Sequence, residues 1–101
     1  MNPNVAKSLL VAKVLVADGM MQDEERQFLE TIMTGLGLTA DERKVVTELD
    51  GLDEAHKFVL ALPKEERQQI IELLVDAASV DGKLSPHELG VVKRLTKALE
   101  L

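Results

Sequence analysis

Shifted by 63 positions (81 minus 18), residues 11–38 of the chain fall on residues 74–101. Under that shift Asp18 meets Asp81, Gly19 meets Gly82, Glu25 meets Glu88, Leu36 meets Leu99 and Leu38 meets Leu101. Apolar positions follow the same register: Val14 with Ala77, Met21 with Leu84, Phe28 with Val91, Leu29 with Val92 and Ile32 with Leu95. Each copy reads as a buried helix, a tight Asp-Gly turn and an amphipathic helix. The pattern predicts two pseudo-symmetric helix–turn–helix hairpins around two buried central helices.

The remaining punctuation is helical too. Pro3, preceded by Asn2, suits the first position of a helix running to about Asp18, with Gly19 as its left-handed terminator. That helix is apolar on nearly every side from Leu9 to Ala17, the mark of a helix enclosed by others. A second helix, about Asp23 to Gly35, carries Phe28, Leu29, Ile32, Met33 and Leu36 at spacings of three and four, and Gly35 and Gly37 close it. Thr39 with Glu42 forms a capping box for a third, which carries Val45, Val46 and Leu49 and ends at Asp50-Gly51. Asp53 is read as the N-cap of a fourth, with Ala55, Phe58, Val59 and Leu62 on one face. Pro63 ends that helix and opens a fifth, whose stretch Ile70 to Val80 is as apolar as the first, and a sixth runs from Ser85-Pro86 to Leu101. No window alternates with period two long enough for a strand. The prediction is an all-α bundle of about six helices, with residues 1–101 as a single domain.

Length and composition bound the function. Scaling laws for a chain of 11.1 kDa give roughly 5,700 Å² of surface folded against about 16,100 Å² unfolded, enough burial for one modest core. The net charge is −6 (12 basic, 18 acidic residues), which argues against nucleic acid and anionic lipid as main partners. Without cysteine there is no disulfide, thiolate zinc site or cysteine nucleophile. With no Trp or Tyr and two Phe, base stacking and aromatic cages are disfavoured. The apolar run Leu9–Ala17 is broken by Lys13 and is far shorter than the ~20 residues a bilayer span needs. It ends in Asp18-Gly19 rather than in a cleavage site, so a cytoplasmic protein without membrane insertion is expected.

The chemistry concentrates at the Asp-Gly turns. Their shared pattern, Asp-Gly-x-apolar-x-x-x-Glu, matches the second half of a calcium-binding EF-hand loop. The first half is missing: Val14 and Val16, or Ala77 and Ser79, stand where carboxylates are needed, so an EF-hand is rejected. In the second copy Ser85-Pro86-His87-Glu88 is a capping box that gives Glu88 a backbone partner. In the first, Gln22 is a poor N-cap and Glu25 is less fully explained. Asp18, Asp23, Glu24, Glu25 and Glu30, set against Arg26, form the densest acidic patch of the chain. Two readings stand beside each other: carboxylates that only fasten the turns, or a weak oxygen-ligand site for a hard divalent cation (calcium, magnesium or manganese) and a contact for a protein partner. Any such cation is expected to dissociate at about 10⁻⁴–10⁻³ M.

The matching words Leu15-Val16-Ala17-Asp18-Gly19, Asp23-Glu24-Glu25 and Leu36-Gly37-Leu38, echoed by Ala78-Ser79-Val80-Asp81-Gly82 and Glu88, resemble the TerB-like domain of tellurite-resistance proteins. The N-terminal domain of the DjlA co-chaperones is similar to that group. The resemblance spans essentially the whole chain and implies an all-helical fold with internal pseudo-symmetry. It further implies association with stress-response assemblies near the membrane, and acidic positions suspected of metal binding. The family's acidic pair maps onto Asp18 with Glu25 and Asp81 with Glu88; Pro86 and His87 stand where the first copy has Asp23 and Glu24.

Other constellations are weaker. His87 adjoins Glu88, but neighbouring helical residues point apart. Asp53-x-x-His56 is one carboxylate–histidine motif where a di-iron bundle needs two. Ser8, Ser79 and Ser85 have no suitably spaced histidine, and Lys93, Arg94 and Lys97 suit the negative end of a helix. Met20 and Met21 straddle the first turn, Met21 as core and Met20 as a candidate contact residue. The function expected is a non-enzymatic binding module with no nucleic-acid partner. The alternatives are a small metal-dependent hydrolase using clustered carboxylates, which requires both turns to converge, and a purely structural or oligomerisation domain.

Overall fold

An asparagine before a proline can cap a helix whose first N–H groups would otherwise lack acceptors. In the computed structural model, which describes residues 2–17, 21–79 and 86–101, the Asn2 side chain accepts the Asn4 N–H at 2.8 Å and Pro3 opens the first helix. Six helices follow in order: α1 (Pro3–Leu15), α2 (Asp23–Gly35), α3 (Ala40–Thr47), α4 (Leu52–Leu60), α5 (Lys64–Ala78) and α6 (Pro86–Ala98). No strand occurs among the described residues. Asp18, Gly19, Met20, Val80, Asp81, Gly82, Leu84 and Ser85 lie outside them, and with them the Asp-Gly turns and the predicted Ser85 cap.

Helix α1 is the hub. It packs against all five other helices and buries Val5, Ala6, Ser8, Leu9, Leu10, Val11, Ala12, Val14 and Leu15. Even Ser8 is satisfied within the helix, its hydroxyl donating to the Asn4 carbonyl at 2.8 Å. The helix stops at Leu15, short of the predicted Asp18. The Val16 and Ala17 N–H groups bond to the Ala12 and Val14 carbonyls, both at 3.1 Å.

Helix α5 corrects the expectation of a second enclosed helix. It buries Ile70, Leu74, Ala77 and Ala78, whereas Val75 is 42% exposed. Glu72 and Asp76 interrupt its apolar run one turn apart and turn that side outward. Arg67 fastens α5 to the end of α6 by donating to the Leu99 carbonyl at 2.6 Å.

Helices α2, α3 and α6 close with one hydrogen-bond pattern. The N–H groups of Leu38, Asp50 and Leu101 reach back five residues, in Schellman fashion, to the carbonyls of Met33 (3.1 Å), Val45 (3.0 Å) and Thr96 (3.1 Å). The left-handed residue is Gly37 (φ 70°), Leu49 (φ 55°) or Glu100 (φ 60°). Leu49, not Gly51, is therefore the turning point of α3. Gly51 (φ 86°) is the N-cap of α4, which also corrects the assignment of Asp53, an exposed residue of that helix's first turn. The left-handed conformation costs a leucine roughly 1–2 kcal/mol, a cost opposed here by packing of the Leu49 side chain against the core.

Thr39 and Glu42 form the predicted capping box, with bonds of 3.2 and 2.9 Å. Arg43 then clamps α3 to α2 through Glu30 (2.7 Å) and the Thr34 hydroxyl (2.9 Å).

Candidate functional site

The first turn of α2 carries Asp23, Glu24 and Glu25, placed where the positive end of the helix dipole favours anions. Consecutive helical residues lie about 100° apart, so three in a row cannot aim at one point. Asp23 and Glu24 accordingly face solvent, while Glu25 turns inward and is 3% exposed. Its Oε1 accepts the Gln22 backbone N–H at 3.0 Å. This bond gives Glu25 the backbone partner that the sequence pattern left open, the N3-to-N-cap half of a capping box.

The other half of the carboxylate is different. Glu25 Oε2 is buried and has no hydrogen-bond partner among the described residues. A carboxylate oxygen withdrawn from water without a donor is costly, and such atoms are few in folded proteins. Arg67 Nε is also buried and unpartnered, but its guanidinium is anchored through the neighbouring nitrogen to Leu99. Glu25 is likewise anchored through its other oxygen, Oε1, but its Oε2 belongs to a helix start whose preceding Asp23 and Glu24 face solvent.

Glu30 shares a surface hollow with Asp23 and Arg26, but its carboxylate is already paired with Arg43 at 2.7 Å. Asp18 and Asp81 fall outside the described residues. Glu88 is 1% exposed and is engaged by a partner of its own. His87 is exposed at the start of α6. Among the described residues no three metal-ligating side chains converge, so Asp23, Glu24 and Glu25 do not by themselves form a cation cage. Next to the α2 start lies a cleft of about 400 Å³, with Val16, Met21, Leu29 and Met33 as apolar lining and Arg26, Glu30 and Thr47 at its polar positions. Met21, expected in the core, is half-buried against it.

Sequence reasoning missed a second polar group, where α1, α4 and α6 meet. Lys13 Nζ lies 3.2 Å from His56 Nε2, and with Arg94 they line a separate cleft. Burial, followed by the nearby Lys13 ammonium, lowers the His56 pKa below its usual 6.5, opposed by the Asp53 carboxylate. The signal was present in the chain: Lys13 is the one charge within Leu9–Ala17.

No described helix is long and apolar enough to cross a membrane. Comparison with known families finds that the model for tellurite resistance protein TerB matches residues 4–101. No curated protein and no solved structure matches the chain.

Proposed function

The chain belongs to the TerB family, and from that premise we propose that it is a non-enzymatic binding module whose acidic α2 face engages a protein partner, with a divalent cation at Glu25. The observation that supports this reading is the buried Oε2 of Glu25, unpartnered among the described residues. A hard cation or a partner's N–H group would supply what that oxygen lacks. The solvent-facing Asp23 and Glu24 extend the negative field outward, and the neighbouring apolar cleft offers a partner side chain a foothold. Further ligands for the cation would come from the Asp18 turn and from the partner. The hydrolase reading has no comparable support, since it requires several carboxylates on one metal. We further read residues 1–101 as a single domain whose hairpins descend from one duplicated unit.

Calorimetric melting with calcium, magnesium or manganese tests the cation. At ten times the dissociation constant the stabilisation is about 1.4 kcal/mol, a rise of several degrees in Tm. Glu25→Gln, which keeps the acceptor for the Gln22 N–H, abolishes that rise, as does Asp18→Asn. No rise at millimolar ion, or the same rise in both variants, overturns the cation. A pull-down from the native host compares the unaltered chain with Asp23→Lys/Glu24→Lys; a partner retained equally by both overturns the acidic face as its contact.

A further inference from the structure

Lys13 is the charged member of an otherwise apolar stretch in the helix that every other helix covers. Its side chain is half-buried, and its ammonium meets His56 Nε2 at 3.2 Å. A neutral imidazole can accept one of the three ammonium N–H bonds, which leaves two to direct elsewhere. Among the described residues no carboxylate lies within ion-pair distance of Lys13. Arg94, on the facing side of α6, is likewise without an acidic partner there. It folds back so that Nε donates to the Gly90 carbonyl at 3.3 Å, and its terminal nitrogens carry no hydrogen bond within the described chain. Two cations on one cleft without an ion-pair partner among the described residues are notable in a protein of net charge −6.

The cleft between them holds about 270 Å³ and is completed by Val91, Leu95 and Ala98 of α6. Leu95 is fully buried beneath it and Val91 half-buried. A guanidinium presents parallel N–H groups that match the two oxygens of a carboxylate, and the ammonium adds a third donor. The apolar wall matches a short hydrocarbon body. The overall negative charge of the molecule selects against polyanions, whose repulsion grows with every further charge. From this geometry we infer that the α1–α4–α6 cleft is a binding site for a small apolar monocarboxylate, whose head group lies between Lys13 and Arg94 and whose hydrocarbon body packs on Val91, Leu95 and Ala98. This site is distinct from the acidic start of α2, so its fate does not depend on the function proposed there.

Titration of the isotope-labelled full chain with hexanoate, followed by ¹H–¹⁵N and ¹H–¹³C NMR, tests it. The expected result is saturable shifts confined to His56, Val91, Leu95 and Ala98, with binding weakened about tenfold in Lys13→Met and in Arg94→Gln. Arg94 is exposed, so its variant keeps the test decisive even if Lys13→Met fails to fold. Hexan-1-ol is expected to bind at least about tenfold more weakly, and inorganic phosphate to leave the methyl signals of Val91 and Leu95 unmoved. The inference is overturned if hexanoate gives no saturable shift at these residues, if hexanol binds as well as hexanoate, or if Arg94→Gln binds hexanoate unchanged. Phosphate moving the same signals with equal affinity overturns the apolar half of it.

Discussion

His56 couples the fold to pH with a definite sign. Its pKa in the folded chain lies below the unfolded value because burial disfavours the charged ring and Lys13 repels it, Asp53 opposing. Between the two pKa values the unfolded chain therefore binds more protons, and stability rises with pH through that window. The contribution is complete above the unfolded value of 6.5 and is lost as pH falls toward the folded one. Urea unfolding from about pH 7.5 to about pH 5.5 should show a steeper loss of stability in the unaltered chain than in His56→Gln, which keeps an acceptor for Lys13 without the titration. Identical slopes would remove His56 from the account. Glu25 makes the complementary point about what residues reveal in isolation. Its place three residues after Gln22 was legible in the sequence, as was its kinship with Glu88. That one oxygen would bond the chain while the other stayed buried and unmet was not legible, because it depends on which way the first turn of α2 faces. The Lys13–His56 contact was hidden for the same reason, since 43 residues separate the pair and only tertiary packing joins them.

At the level of elements, the ends of the helices carry the most information, and glycine content alone misjudges them. Gly35 and Gly37 both looked like terminators of α2, yet only Gly37 has a positive φ, at 70°. A Cβ built on Gly35 meets nothing within 4 Å. Gly35→Ala is therefore predicted to stabilise the protein by about 0.5–1 kcal/mol through lower unfolded-chain entropy, and Gly37→Ala to destabilise it by roughly 1 kcal/mol. Glu100 occupies the position equivalent to Gly37 with φ 60°, and its contact with Arg67 is a long 3.9 Å at the surface. Glu100→Gly should consequently gain about 0.5–1 kcal/mol, little of it offset by the lost ion pair. Thermal melting of the three variants checks these signs, and a stabilising Gly37→Ala would refute the strain argument. Helix existence, order and the Thr39–Glu42 cap were readable because periodicity and capping are local. Leu49 as the end of α3, and Gly51 as the start of α4, were not readable. There the burial of one leucine outweighs a backbone preference that would place the glycine at the turn.

The whole molecule is organised around one enclosed helix rather than two. All six helices share a single core, and α1 contributes to every interface it makes with the others. The apolar run of α5 suggested an equal partner, but a run must be apolar on all faces to be enclosed, and Glu72 with Asp76 denies that to α5. The consequence is an unequal distribution of stability. Helices α2, α3 and α4 make their extensive interhelical contacts with α1, and α5 with α6 makes the one such interface that α1 does not share, whereas α5 can loosen along its outer face without exposing the centre. Leu10→Ala, at a fully buried position of α1, is predicted to cost about 2–5 kcal/mol, because the surrounding helices cannot close the cavity. Against a total of roughly 5–15 kcal/mol for a domain of this kind, that is a large fraction. Val75→Ala on α5 should stay within about 0.5 kcal/mol, since the side chain already faces water. Native-state hydrogen exchange distinguishes this picture from one of two equivalent hairpins. The central amides of α1 should exchange only by global unfolding, and Leu10→Ala should lower the protection of the slowest amides in every helix by the same free energy. If α5 amides outlast those of α1, or if Leu10→Ala weakens the α1–α2 pair while leaving α5 and α6 untouched, the molecule is two semi-independent hairpins and α1 is not its hub.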